Sequence, residues 1–211
     1  MKVGIIREGD FFMYKIITIS REFGSKGRTI GKKLAEKLGY NFYDSSLVDK
    51  VAIESGYHKD FIKEHAEYAS SSHPFVFSFY RTNAINGSGT SIYDEIFIAQ
   101  QKVILDIASK ENAVIVGRCA DYILRDRDDV FNVFIYSDLE KRKENIINEY
   151  GEVENESIDK RIKEKDKRRK LYYKTYTGRE FGCVKNYHIA LDSSTLGIDT
   201  CVDILYSILG D

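Results

Sequence analysis

Lys15-Ile16-Ile17-Thr18-Ile19-Ser20-Arg21-Glu22-Phe23-Gly24-Ser25-Lys26-Gly27-Arg28-Thr29-Ile30-Gly31-Lys32-Lys33-Leu34-Ala35-Glu36-Lys37-Leu38 is the stretch that decides the fold class. Its opening, Lys15 to Ser20, is a β-branched run of the kind that forms a buried strand. Its end, Lys32 to Leu38, has helical spacing and stops at Gly39. Between them lies a turn bearing Gly24, Gly27 and Gly31. A strand, a glycine turn and a helix in that order aim backbone N–H groups and the helix dipole at an anion, and phosphate is the obvious one. Gly24 and Gly27 let the backbone approach such a group, Lys26 and Arg28 supply positive charge, and Ser25 and Thr29 supply hydroxyls able to ligate Mg²⁺. The strict phosphate-loop spacing is not met. Aligned without gaps from the helix, Gly27 takes the place of the motif lysine; shifted by one residue, Gly27-Arg28-Thr29 stands for Gly-Lys-Thr. Both registers remain open, and a plain turn with solvated charges is the alternative to either.

Outward from this unit the pattern repeats, with β-branched runs alternating with amphipathic segments as in a parallel α/β sheet flanked by helices. A short strand is expected over Asn41 to Tyr43, then a helix from Asp44, a good N-cap, to about Ser55. Residues 56–90 contain Pro74 and Gly87-Ser88-Gly89 and read as a helical insertion with a flexible return. A long helix follows from Ser91 to Ser109. Ala113 to Val116 and Val130 to Tyr136 read as buried strands, with Ser137 or Asp138 capping the next helix. A basic helix over 155–175, a strand from His188 to Leu191 and a helix from Ile198 to Leu209 complete the chain. Residues 14–211 are expected to form one domain. Residues 1–13 look unlike the rest, and either an extra arm or a native start at Met13 accounts for them.

Composition narrows the classes. Of 211 residues, 43% are apolar, enough for one substantial core, and the single proline excludes a proline-rich linker. Three scattered cysteines, Cys119, Cys183 and Cys201, suit a reducing cytoplasm better than a disulfide framework, and no apolar run is long enough to span a membrane. His58, His65, His73 and His188 lack metal-ligand spacing, and His188 reads as structural. The net charge of −1 conceals an asymmetry, since residues 160–179 hold ten Lys and Arg against Glu164 and Asp166. Most of these suit a solvated helix face. Tyr172, Tyr173 and Tyr176 interleave with them, a composition that would also suit stacking on nucleic-acid bases.

Ile19-Ser20-Arg21-Glu22-Phe23-Gly24-Ser25 with Gly27-Arg28, Ile30-Gly31 and Leu34-Ala35 resembles the opening of the cytidylate kinase-like family. Tyr43-Asp44, the run Val114 to Leu124, Tyr172-Tyr173, Thr177-Gly178 and Asn186-Tyr187 follow in that family's order. The resemblance implies a P-loop NTPase fold carrying a helical monophosphate-binding insertion at 56–90 and a lid at 150–185. It implies a cytoplasmic kinase that uses ATP and Mg²⁺ on CMP, dCMP or a related nucleoside monophosphate. Arg21 and Gly24 to Thr29 would then receive ATP, and Arg118 the acceptor phosphate. Asp44 and Lys50 would open the monophosphate site, with Lys50 in place of an arginine. Cys119 replaces an aspartate expected to meet the cytosine, and Asp121 is a candidate to compensate. In the lid, Arg161, Arg168 and Arg169 would close over the phosphates, joining Lys26 and Arg28 in neutralising the transferred group. A nucleotide-binding sensor without turnover, a kinase of another small metabolite, and a nucleic-acid-binding module are the competing readings.

Overall fold

The computed structural model describes residues 14–44, 47, 92–151 and 157–210. Lys50, the insertion expected at 56–90 and the N-terminal residues 1–13 lie outside them. The described chain runs β1 (Ile16–Arg21), α1 (Gly27–Leu38), β2 (Asn41–Tyr43), α2 (Ile92–Lys110), β3 (Ala113–Val116), α3 (Ala120–Ile123), β4 (Val130–Tyr136), α4 (Leu139–Tyr150) and α5 (Ile158–Thr177). A 3₁₀ turn (Val184–Asn186), β5 (Ile189–Asp192), α6 (Ser193–Leu196) and α7 (Ile198–Leu209) complete it.

The strands form a parallel sheet in the order β2-β3-β1-β4-β5. Alternation along each strand divides the core in two. Ile16, Ala113, Ile115 and Val130 face α2 through Ile96, Val103, Ile104 and Ile107. Ile17, Ile19, Val114, Val116, Val133 and Ile135 face α1 and α7 through Ile30, Leu34, Val202 and Leu205. Gly31 brings α1 onto the sheet, since a Cβ there would lie 2.9 Å from Ile19 Cδ1. On the α2 face the polar side chains pair with one another, Thr18 Oγ1 donating to Asn132 Oδ1 at 2.7 Å.

The chain leaves β1 toward β3 and β2 on one side and later adds β4 and β5 on the other, so the C-terminal end of β1 is the topological switch point. Most elements agree with the sequence reading, and β4 and α7 agree to the residue. Asp138 is the cap of α4, accepting from Glu140 N–H, and Ser157 caps α5. The sequence reading lacks the short helices α3 and α6 and the 3₁₀ turn, and α1 departs in its start. It begins at Gly27, five residues before the helix expected from Lys32, because Gly27, Ile30 and Gly31 already form part of its buried face. Of the helix expected from Asp44, only Asp44 and Leu47 are described.

Candidate functional site

Everything the sequence singled out in the glycine turn gathers at the switch point, but in distinct roles. Lys26 adopts a left-handed conformation, φ 59°, at the N-cap of α1 and makes no side-chain cap bond. The first turn closes from Ile30 N–H to the Lys26 carbonyl at 2.9 Å, which leaves the N–H groups of Gly27, Arg28 and Thr29 pointing out of the helix end. Thr29 is half-buried beside them. Ser25 is wholly buried; its hydroxyl donates to the Glu22 carbonyl at 2.9 Å and its carbonyl accepts from Ser193 Oγ at 2.8 Å. Lys26 turns away toward α4 and pairs with Glu149 at 2.6 Å.

Gly24, expected to let the backbone near phosphate, instead faces α4. A Cβ there would lie 2.8 Å from both the Arg142 carbonyl and Ile146 Cδ1, and its φ is +82°. The turn is held against α4 and α5 by charged bonds that sequence reasoning missed. Arg142, 7% exposed, donates to the Phe23 carbonyl at 2.7 Å, pairs with Glu22 at 3.3 Å and also pairs with Asp166. Asp166 accepts in addition from Phe23 N–H at 2.9 Å, and Asn145 donates to the Gly24 carbonyl at 2.9 Å. Phe23 packs with Ile146 and Ile162 beneath them.

Arginines crowd the other side of the turn. Arg28 meets Asp44 at 2.5 Å, and Arg21 reaches the same carboxylate at 3.8 Å. Arg118 follows Gly117 at the end of β3, and three successive residues, Gly117, Arg118 and Cys119, have positive φ of 81°, 58° and 56°. Among the described residues, Lys26, Arg118 and Cys119 are the non-glycine positions with positive φ, so backbone strain is concentrated at this site. Burial, together with the charges of Arg118 and Arg28 acting against that of Asp44, lowers the proton affinity of Arg21. Burial and the nearby Arg21 hold Arg169 down at about 9. Burial is the first cause of both depressions and like charge adds to it, the part that a bound anion would relieve.

From α5, Arg169 donates to the Arg21 carbonyl at 3.0 Å and lies over the Phe23 ring at 5.6 Å. Arg161 lies over the rings of Phe23 and Tyr150 and donates to the Gly151 carbonyl. Arg168 keeps a buried Nε with no hydrogen-bond partner among the described residues. The tyrosines between these cations are packed inward. Tyr172 donates to Gln100 at 2.5 Å, Tyr176 stacks on Phe97 at 4.1 Å, and Tyr173 donates to Asp121 at 2.5 Å. They form the seat of α5 on α2 and α3, with Tyr173 buried and Tyr172 and Tyr176 half-buried.

Asp121 is therefore a buried anchor for α5, with its carboxyl pushed up by burial against the opposing bond from Tyr173. An acid whose folded pKa is raised binds its proton more tightly when folded, so its contribution to stability falls as pH rises above about 4. Asp121→Asn, which keeps an acceptor for Tyr173, is expected to raise the neutral-pH melting temperature and flatten that pH dependence; melting curves from pH 4 to 8 would check it. His188 accepts from Asn132 N–H on its Nδ1 and rests on Phe131, a structural role.

A parallel sheet with a glycine turn at its switch point, a helix N-terminus open to an anion and arginines around it make this a P-loop kinase fold. A shikimate kinase from Bacteroides thetaiotaomicron has the same fold, with a TM-score of 0.55 at 13% identity over 93% of this chain and 98% of that one. The sequence profile of the cytidylate kinase-like family matches residues 16–195, and the chain belongs to that family. An uncharacterised protein from Eubacterium ventriosum ATCC 27560 is more similar in structure, with a TM-score of 0.68 and 27% identity over 93% of this chain and 98% of that one. No curated protein matches the chain significantly. Family and fold together support a phosphotransferase. Among the described residues no helix is long and apolar enough to cross a membrane.

Proposed function

We propose that the protein transfers the γ-phosphoryl group of ATP to a small phosphate-bearing acceptor, with CMP or dCMP as the first candidates. The observation that carries this reading is the crowding of Arg21, Arg28, Arg118 and Arg169 at the open end of α1, where the carboxylate of Asp44 is shared by two of them. On this reading the N–H groups of Gly27, Arg28 and Thr29 receive the nucleotide phosphates, and Arg28 takes the charge role of the missing motif lysine. Arg168 and Arg169 add charge from α5, where a lid would close. Little covalent chemistry is asked of the protein, since positioning and neutralisation of the equatorial oxygens carry phosphoryl transfer.

The donor set suits Mg²⁺ in the manner usual for kinases. No group of three His, Cys, Asp or Glu able to hold a metal unaided occurs among the described residues, but Thr29 offers a hydroxyl oxygen beside the N–H groups assigned to the phosphates, while Asp44 is engaged by Arg28 and Arg21. Bound there, Mg²⁺ would supply charge neutralisation between nucleotide oxygens. Ser25, with its hydroxyl engaged inside the turn, is left out of this role, and Lys26 and Asp121 are left out of the reacting set.

Phosphotransfer measured with ATP and Mg²⁺ against CMP, dCMP, UMP, AMP and GMP, with an acceptor-free control, tests the reading. Turnover with CMP or dCMP supports it. ATP binding without turnover on any acceptor would favour a nucleotide sensor, a role that the replacement of lysine by an Asp44-paired Arg28 also suits. Arg118→Ala is expected to raise the acceptor KM at least tenfold, about 1.4 kcal/mol of binding, while moving the KM for ATP less than twofold. The reverse pattern would transfer Arg118 to the nucleotide.

A further inference from the structure

Arg21 ends β1 at the entry to the turn proposed to receive nucleotide, yet its side chain leads away from that turn. Its Cβ and Cγ run against Gly27, where an added Cβ would lie 2.6 and 3.0 Å from them. Its guanidinium then lies across Gly117, where an added Cβ would come within 2.2 Å of Nη1 and 3.2 Å of Cζ. Nη2 ends 3.8 Å from Asp44 Oδ1. The side chain therefore crosses from the end of β1 over the end of β3 to the end of β2, the side of the switch point away from β4 and α4. Two glycines on separate elements, Gly27 on α1 and Gly117 after β3, form a slot that only a side chain lying over bare backbone can use.

The slot delivers a guanidinium beside Arg118. Around Asp44 two guanidiniums, those of Arg21 and Arg28, share one carboxylate that lies closest to Arg28, and the charge of Arg118 acts on Arg21 beside them. No carboxylate pairs with Arg118 among the described residues. With Arg28 and Arg169 nearby, the arginines outnumber the Asp44 carboxylate, and the positive surplus suits a phosphate monoester dianion. Planar guanidiniums also bind such oxygens bidentately, in a geometry that lysine does not provide.

We infer that Arg21, seated in the Gly27–Gly117 slot, acts with Arg118 as a two-arginine clamp on the phosphate monoester of the acceptor and is not part of the ATP site. The identity of that anion as a phosphoryl acceptor rests on the proposed phosphotransfer; the clamp itself is an equilibrium property. Asp44 holds both Arg21 and Arg28 and so keeps the clamp in place next to the position of the transferred group. Gly117 is required because any side chain there would displace the Arg21 guanidinium.

Equilibrium titrations of CMP, cytidine, inorganic phosphate, malonate and ATP against the wild type, Arg21→Gln, Gly117→Ala and the double variant test the clamp. The wild type is expected to bind CMP at least tenfold more tightly than cytidine, with inorganic phosphate competing against CMP. Arg21→Gln and Gly117→Ala are each expected to weaken CMP binding ten- to a hundredfold with ATP affinity held within twofold. The double variant is expected to lose little more than either single one, because both remove the same guanidinium. Melting curves identify any variant that is merely unfolded, and Arg21→Lys, which keeps the charge, then substitutes for Arg21→Gln with an expected intermediate loss. An equal loss of ATP and CMP affinity would return Arg21 to the nucleotide site and overturn the inference. Malonate binding as tightly as inorganic phosphate would overturn the phosphate assignment, and so would a wild type that binds no phosphate compound. The two readings fail separately. A wild type without turnover whose phosphate binding is lost in Arg21→Gln sinks only the phosphotransfer, whereas CMP turnover unaffected by Arg21→Gln sinks only the clamp.

Discussion

Replacing Arg142 by alanine is expected to lower the free energy of unfolding by about 3 kcal/mol and to abolish phosphotransfer, although Arg142 lies outside the charged cluster around Asp44. Arg142 is buried, and its guanidinium serves three partners at once: the Phe23 carbonyl, Glu22 and Asp166. Removing it takes the cation that Glu22 and Asp166 share away from two partly shielded carboxylates, and breaking such a network from one side costs far more than the intact network contributes. Urea unfolding would measure the loss. A loss under 1 kcal/mol would mean that water reaches the carboxylates and that the network is peripheral. A control separates charge from packing. Arg142→Met combined with Glu22→Gln and Asp166→Asn removes the partners together and is expected to recover much of the stability, because no buried charge is left unpaired. Activity should not return with it, since the turn would have lost the bonds that fix Phe23 and Gly24.

That network also marks how far the sequence could be read. The strand, turn and helix at 15–38 carry local signals, namely β-branching, glycine punctuation and helical periodicity, and these survive in the structure because the sheet buries both faces of β1. Arg118 was legible through the family resemblance, and its place just after a buried strand puts it at the sheet's C-terminal edge. Arg142, Asn145 and Glu149 were not. They occupy a helix whose sequence, Leu139 to Tyr150, reads as a solvated charged face, and their partners in the turn lie more than a hundred positions away. Periodicity reports which face of a helix is apolar but not which distant backbone group a buried cation will meet. The same limit explains Asp166, which the family pattern placed in the lid. Its bonds to Phe23 N–H and Arg142 come from the packing of α5 against the turn. The tyrosines of α5 show the converse. Interleaved with lysines, they made a composition that would also suit stacking on nucleic-acid bases, and in the structure Tyr172 and Tyr173 fasten the helix to Gln100 and Asp121.

Gly24→Val is expected to eliminate nucleotide binding and to destabilise the fold by about 3 kcal/mol or more, and the cause differs from the one the turn's sequence suggests. A loop glycine that touches phosphate would tolerate a side chain in the free protein and fail only on binding. Gly24 instead meets the protein itself. Its φ of +82° disfavours any side chain, most of all a β-branched one, and a Cβ would press at 2.8 Å on the Arg142 carbonyl, a backbone atom that cannot swing aside. The expected consequence is displacement of the turn from α4. That movement would break the Asn145 bond to the Gly24 carbonyl and loosen Arg142 from the Phe23 carbonyl, so that the open N–H groups of Gly27, Arg28 and Thr29 lose their fixed direction. Thermal unfolding and ATP titration on Gly24→Ala, the milder change, separate the two explanations. A lowered melting temperature without ligand, with ATP affinity falling in proportion, supports the contact with α4. An unchanged melting temperature with ATP binding abolished would instead put phosphate against Gly24 and give the turn the conventional role for its glycines.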